Sequence, residues 1–586
     1  MVRRKDDGVT LRRILRRTPW PIRRRIAQAA GSRLLPRMAP RRRLRVARAL
    51  MPIEPARGGR PAATGQAIRV RTPQGRLSAR VVAATSPAAA RRANLDRVAD
   101  ALDLAGVDWF RLPAPQPTGT AVGVPETDRD LVLRILAGIA ERDHGRIRRS
   151  GPDGRVIAVC WPVTDPGGSL VLGPEQACEV ELWRVERGSL VAPRPNPIAD
   201  RIPAAEPVVI APEPVFGAFC SPDDTTGYRT RQVFTTLDPD RIDFPVDVVY
   251  TWVDGDDPAW RRRKERALAE NPWVGAAHGQ AANDARFTNR DELRYSMRAL
   301  HHFAPWVRHV YLVTDDQVPA WLDLAHPRLT VVGHREVFGD TGTLPTFNSQ
   351  AIESRLHRIP GLAEHFLYLN DDVILARPVT PDLFFTAGGL TKFFPSPSLV
   401  DLSPRGPGDR PADSAAKNNR RLIRDTFGRV LTRKMMHTPH PCRRSVLTEV
   451  ESRFAEQVRS TAGHQFRHPD DVSLLSSLQQ YYAYLTGQAT PGKIRHRYAD
   501  LADPWTPLKL ATLLRLRNAD TLCLNDVDGR DAAPDELDSL LADFLPAYLP
   551  FSAPFELREP RAATMPAPPA RQPRRPVRTV ALPPVA

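Results

Sequence analysis

A chain of 586 residues is too long for one compact core, so two or more domains are expected. Its hydrophobic share of 42% suffices for globular cores, whereas 59 prolines exceed the average usage and point to extended linkers or tails. The net charge of +18 admits anionic partners, whether lipid head groups, nucleic acid or phosphorylated substrates.

The N-terminal segment, 1–60, is dense in arginine against few acids, and "LRRILRRTPWPIRRRIAQAAGSRLL" sets Leu, Ile and Trp20 among arginines at roughly helical spacing. Two readings stay open: an amphipathic helix on an anionic membrane surface, or a solvated basic tail. No secretory h-region and no apolar run of about 18 residues occurs, so the expected location is cytoplasmic, with peripheral contact at the inner face of the membrane under the first reading. Five scattered cysteines with no CxxC pair indicate neither a zinc site nor a disulfide framework.

Residues 61–240 read as an accessory α+β domain. "AIRVRT" and "GRLSARVVAA" flank Pro-Gln-Gly as a hairpin, "RVIAVCWPV" and "CEVELWRVERGSLVAP" add strands, and "RDLVLRILAGIAE" adds a helix. From 241 to 555 short apolar runs alternate with helical patterns: strands "VDVVYTWV", "HVYLVTD", "LTVVGH" and "HFLYLNDDVIL", helices "RDELRYSMRALHHF" and "SQAIESRLHRI". Leu293, Met297 and Leu300 fall on one helical stripe, as do Val472, Leu475, Gln479 and Tyr482 in a later helix that Gly487 ends. This alternation predicts an α/β fold with a largely parallel sheet, whose ligands bind beyond the carboxyl ends of the strands. Residues 556–586 read as a disordered tail rich in proline and arginine.

Acids gather at such strand ends. Asp254-Gly255-Asp256-Asp257 follows the first strand and reads either as a turn with solvated acids or as ligands for Mg²⁺ or Mn²⁺. In "LYLNDDVIL", Asn370, Asp371 and Asp372 interrupt an apolar strand. Two adjacent carboxylates there are costly without a cation or strong donors, so a metal is the favoured reading. Between 434 and 471, His437 is a candidate general base, and Arg443, Arg444 and Arg467 are candidates for bidentate phosphate contacts. His440, beside two prolines, reads as structural. "CLND" at 523–526 is by itself an ordinary turn.

Taken in order, "DVVYTWVDGDDPAW", the stretch from "RDELRYSMRAL" to "PVTPDLFF", "HTPHPCRRSVL" to "HQFRHPDD", and "CLND" resemble the four conserved regions of the Stealth family of sugar-1-phosphate transferases. That family includes bacterial capsular and exopolysaccharide phosphotransferases and the animal enzyme that adds GlcNAc-1-phosphate to lysosomal glycoproteins. The resemblance implies a Rossmann-like, GT-A-related core and transfer of sugar-1-phosphate from a nucleotide-sugar, UDP-sugar expected, to a hydroxyl of a glycan acceptor. It further implies that Trp252, Asp254 and Asn348 contact the donor. Asn370, Asp371, Asp372 and Asp526 surround a divalent metal and the diphosphate, His437 accepts the acceptor proton, and Arg467 stabilises the transferred phosphoryl group. Asp470 and Asp471 match the family's acids after that arginine. The alternative is a metal-dependent glycosyltransferase that releases nucleoside diphosphate. A nucleic-acid binder is not supported, since no aromatic interleaving or recognisable motif accompanies the charge.

Overall fold

The computed structural model describes residues 61–558, apart from 74, 272–273, 275–283, 502, 504 and 526–533. The N-terminal segment with its membrane reading, Asp526, and the tail beyond 558 therefore lie outside the described residues.

Residues 61–236 build a mixed sheet in which Cys178–Glu186 is central, parallel to Thr120–Pro125 and antiparallel to Val156–Cys160. Two helices, Pro87–Leu104 and Arg129–Arg142, cover it around Leu95, Val98, Leu136 and Leu182. The expected hairpin forms, with Ala67–Thr72 pairing Gly75–Val81. Phe551 of the C-terminal region joins Ala90, Leu170 and Leu172 in one apolar cluster, so the two halves of the chain share a packed contact.

The second half is organised by β1 (Val246–Thr251), α1 (Pro258–Glu270), α2 (Glu292–Phe303), β2 (Val310–Thr314), β3 (Leu329–Gly333), α3 (Ser349–Glu353) and β4 (His365–Asn370), followed by β5 (Val373–Leu375) and β6 (His440–Arg443). The main sheet runs β3-β2-β1-β4-β6, with the first four strands parallel and β6 antiparallel. Side chains alternate between two cores. Val248, Tyr250, Leu367 and Leu369 pack with Leu293, Met297 and Leu300 of α2 on one face; Val249, Phe366 and Tyr368 pack on the other. Burial on both faces explains why these strands read as apolar runs rather than alternating ones. The order 3-2-1-4 is that of a Rossmann half, and it places the topological switch between β1 and β4. The crevice that this order opens lies beyond Thr251 and Asn370.

Three expectations are corrected here. "HFLYLNDDVIL" is two strands, because the chain turns at Asp371-Asp372. β4 stays in the main sheet, while β5 joins a second sheet with β7 (His496–Asp500) and β8 (Thr521–Asn525). The helix over 470–487 begins with a π turn at Leu474–Leu478 and becomes α4 (Gln479–Leu485) only afterwards. The turn brings the Ser476 hydroxyl 2.6 Å from Glu353 Oε2, the kind of local distortion found where backbone must serve a site. The tail does not begin at 556. After α5 (Pro534–Tyr548), Glu556 is buried, accepts from Arg298 Nε at 2.6 Å and Arg294 Nε at 2.7 Å, and bridges Leu322. Among the described residues no helix is long and apolar enough to cross a membrane.

Candidate active site

The turn between β4 and β5 places Asp371 and Asp372 over the switch point, and two sheets hold it. Asp372 O accepts from Leu524 N of β8 at 3.0 Å, while its side chain accepts from Asn525 Nδ2 at 3.2 Å and from the Cys523 thiol at 3.3 Å, both on Oδ2. Its other oxygen, Oδ1, stands 3.2 Å from His437 Nε2. Burial pushes this carboxyl up, but the His437 charge and hydrogen bond outweigh it and hold it below its usual value. His437 shifts the opposite way: burial opposes its charge, and the Asp372 carboxylate raises it overall.

Asp371 is different. Its Oδ1 accepts the Asp372 amide at 3.1 Å. Burial, then Asp372, then Glu292 push it well above its ordinary range. Glu292, at the start of α2, is itself pushed up to about 7 by burial, with Asp372 adding to the rise. Three carboxylates that repel one another, Glu292 buried and Asp371 and Asp372 half-buried, are a donor set suited to a hard divalent cation, which takes oxygen ligands. The ligand atoms of Asp372, His437 and Cys523 also lie within 4.8 Å of one another. Here the Cys523 thiol, raised well above its usual value by burial and by Asp372, donates to Asp372 Oδ2 at 3.3 Å. The residues present thus fit Mg²⁺ or Mn²⁺ on the Asp371–Glu292 side better than a softer metal on the Cys523 side.

Across the mouth, Arg467 Nη2 donates to Ser349 Oγ at 2.9 Å. Its loop is pinned by Asp471, a buried carboxylate that accepts from Asn348 Nδ2 at 2.8 Å and His468 N at 2.8 Å and stands 2.6 Å from His464 Nδ1. Between this arginine and β4 lies Glu353, hydrogen-bonded by Ser476 and 3.5 Å from the Tyr368 hydroxyl, which also meets Thr251 Oγ1 at 3.1 Å and Asn370 Nδ2 at 3.2 Å. His440 stacks on Tyr368 at 6.2 Å and is pushed down to about 3 by burial and by His437; its role is packing.

Several expected substrate contacts are not at the mouth. Asn348 is wholly buried: its carbonyl oxygen caps α3 by accepting Gln350 N at 3.1 Å, and its amide holds Asp471. It braces the Arg467 loop and does not face the crevice. Arg443 and Arg444 are carried away by strand direction. Because β6 is antiparallel to β4, His440 lies beside Tyr368 but Arg443 lies beside His365, at the far end of the strand, roughly 10 Å further down by the rise per residue. There Arg443 donates to Glu364 Oε1 at 3.1 Å. Trp252 is packed into the core below the mouth.

The acids after β1 are largely occupied by their own turn. Asp257 caps α1, accepting Ala259 N at 2.7 Å; Asp256 pairs with Arg261; Asp254 Oδ1 accepts Asp256 N at 3.0 Å. Gly255 has a steric reason. A Cβ there would stand 2.5 Å from the Phe287 carbonyl oxygen, which accepts the Gly255 amide at 2.8 Å. Gly255→Ala is therefore expected to cost about 1–3 kcal/mol, read as a lower urea midpoint at unchanged slope. A wild-type midpoint would show that the Phe287 segment gives way freely.

Glu292 and Glu353 escaped the sequence reading, and in "CLND" only Asp526 was given a role, not Cys523 or Asn525. An acid in the first turn of a helix is commonplace, and a Cys and an Asn flanking a leucine carry no signal until β8 is seen against β5.

Four family models match this chain, those for conserved regions 1 to 4 of Stealth proteins, over residues 244–272, 286–393, 436–484 and 511–567. An exopolysaccharide phosphotransferase of Streptomyces coelicolor is 46% identical over 504 residues, 82% of this chain and 84% of the relative. The chain belongs to the Stealth family. A Nocardia farcinica relative is 38% identical over 73% of this chain and 83% of its own, and CpsY of Mycobacterium tuberculosis 36% identical over 69% and 74%; both also carry the name exopolysaccharide phosphotransferase. All four Stealth regions contribute to the site: the first supplies the β1 turn, the second Glu292, Asn348 and Asp371-Asp372, the third His437 and Arg467, and the fourth Cys523 and Asn525. Among solved structures, the galactosyltransferase LgtC aligns over 51% of this chain and 96% of its own at 11% identity, with a TM-score of 0.27. At that score it adds nothing to the strand order, which by itself establishes the Rossmann-like arrangement of this Stealth protein.

Proposed function

We propose that the protein transfers a sugar-1-phosphate from a nucleotide-sugar to a hydroxyl of a glycan acceptor, releasing the nucleoside monophosphate, in the synthesis of an exopolysaccharide or capsule. The observation that carries this reading is the His437–Asp372 pair, 3.2 Å apart, set at the switch point with the Asp371 and Glu292 carboxylates on one side and Arg467 on the other. Asp372 Oδ1 holds the proton on His437 Nε2, which leaves Nδ1 to accept the proton of the acceptor hydroxyl. The hydroxyl oxygen then forms its bond to phosphorus as the bond from phosphorus to the nucleoside phosphate oxygen breaks. Arg467, fixed by Ser349, faces the oxygens on which charge grows. Asp371, Glu292 and Asp372 would hold a divalent cation, which would supply charge neutralisation on the diphosphate.

The names of the relatives favour phosphoryl transfer over glycosyl transfer. The test is the nucleotide released. Purified protein with Mg²⁺, UDP- and GDP-sugars and a cell-envelope glycan acceptor is expected to give UMP or GMP with one donor. Release of UDP or GDP would replace the proposal with attack at the anomeric carbon.

A further inference from the structure

Arg467 has a companion that neither its sequence neighbours nor the comparisons single out. Arg286 precedes Phe287, the residue whose carbonyl accepts the Gly255 amide. The Phe287 ring lies 5.0 Å from Trp260, Trp260 lies 5.3 Å from Phe347, and Phe347 stacks on Phe466 at 5.2 Å. Phe466 precedes Arg467, and Phe347 precedes the Asn348–Ser349 pair that braces and meets it. One aromatic cluster therefore fixes the backbone beneath both arginines.

Arg286 is matched by no acid: among the described residues no carboxylate is ion-paired with it, and the charge it feels is that of Arg467. Arg467 feels Glu353 and Asp471 but makes no ion pair with either. Among the described residues, Arg286 Nη1 and Arg467 Nε are buried and have no hydrogen-bond partner, and the Arg286 guanidinium lies 5.7 Å from the centre of the Phe287 ring. Burial and then the Arg467 charge push Arg286 well below its usual value. A buried charged donor left unsatisfied is costly, and a second like charge beside it adds to the cost. The group that relieves both is an anion with several oxygens, which planar guanidinium forks match in pairs.

We propose that Arg286 and Arg467 form a two-guanidinium seat for the phosphoanhydride of the donor, with Arg286 a substrate-binding residue. This rests on the nucleotide-sugar reading above and assigns the diphosphate to the β1 side of the crevice, where the Phe287–Gly255 contact brings Arg286 to the turn after that strand.

The test is calorimetric titration of the full chain with inorganic pyrophosphate, with UMP and with uridine, in the absence of added metal. Arg286→Gln is expected to weaken pyrophosphate and UMP binding about 10- to 100-fold and to leave uridine unchanged. Arg286→Lys, which keeps the charge and loses the fork, is expected to fall between. Thermal melts of both variants separate lost binding from lost folding, and the KM for donor is expected to rise more than kcat falls. Pyrophosphate binding at the wild-type level in folded Arg286→Gln would overturn the seat, as would no pyrophosphate binding by the wild type. Nucleoside diphosphate as the released product, with pyrophosphate binding still dependent on Arg286, would sink the transfer reading and leave the seat standing. Monophosphate release with unchanged binding would do the reverse.

Discussion

Asp372→Asn is expected to lower transfer by about a thousandfold or more while leaving the melting temperature nearly unchanged. The substitution preserves shape and volume, so little packing is lost. What changes is hydrogen-bond polarity. Asp372 is an acceptor to three neighbours at once: His437 on Oδ1, and Cys523 with Asn525 on Oδ2. An amide has one acceptor oxygen and must turn its NH₂ toward either the imidazole or the β8 donors. Facing His437, it would favour the tautomer that leaves no base toward the acceptor; facing β8, it would set donor against donor. Loss of the negative charge also removes the main support for a positively charged His437. Wrong-tautomer and lost-charge effects of this kind are worth on the order of 10³–10⁴ in rate. The measurement is monophosphate release beside a circular-dichroism melt, and turnover within tenfold of wild type would remove Asp372 from the chemistry.

His437→Ala is expected to reduce transfer by roughly 10²–10⁴-fold with donor affinity retained, because the arginine side of the crevice is untouched. His437→Gln separates two roles. Its amide can still donate to Asp372 but has no basic nitrogen, so it should be as slow as the alanine variant if His437 takes the proton. A glutamine enzyme near wild-type speed would reduce His437 to a spacer that orders Asp372. Added imidazole is expected to restore part of the alanine variant's rate and none of the glutamine variant's, whose side chain fills the space.

The sheet was legible because its central strands are buried on both faces, which a run such as Val246–Tyr250 requires. The Asp371-Asp372 pair was legible as a site because acids rarely interrupt such a run. That the same acids also end one strand and start another was hidden, since the partner of β5 lies about 150 positions later, in β8. Strand direction misled in the same way. Arg443 and Arg444 follow His437 closely in sequence, but antiparallel pairing of β6 sends the histidine toward the crevice and the arginines away from it. Pairing direction is set by non-local contacts, which a local pattern does not report. Asn348 was read as a substrate contact; the fold buries it as a donor to Asp471, a placement that no local pattern reports. Arg286 had no pattern at all; its meaning comes from Gly255 and three aromatic side chains drawn from three separate stretches of chain.

The two-sheet grip on Asp372 has a consequence for how the protein is made. Translation delivers the Rossmann-like sheet first, and the aspartate pair with it. The Cys523 and Asn525 donors and the Leu524 amide that hold Asp372 in place are encoded near the far end. A nascent chain can thus own most of its fold and still lack a set carboxylate at Asp372. Completion of β8 is expected to set that carboxylate, so that chains truncated before 521 should be folded in part and silent.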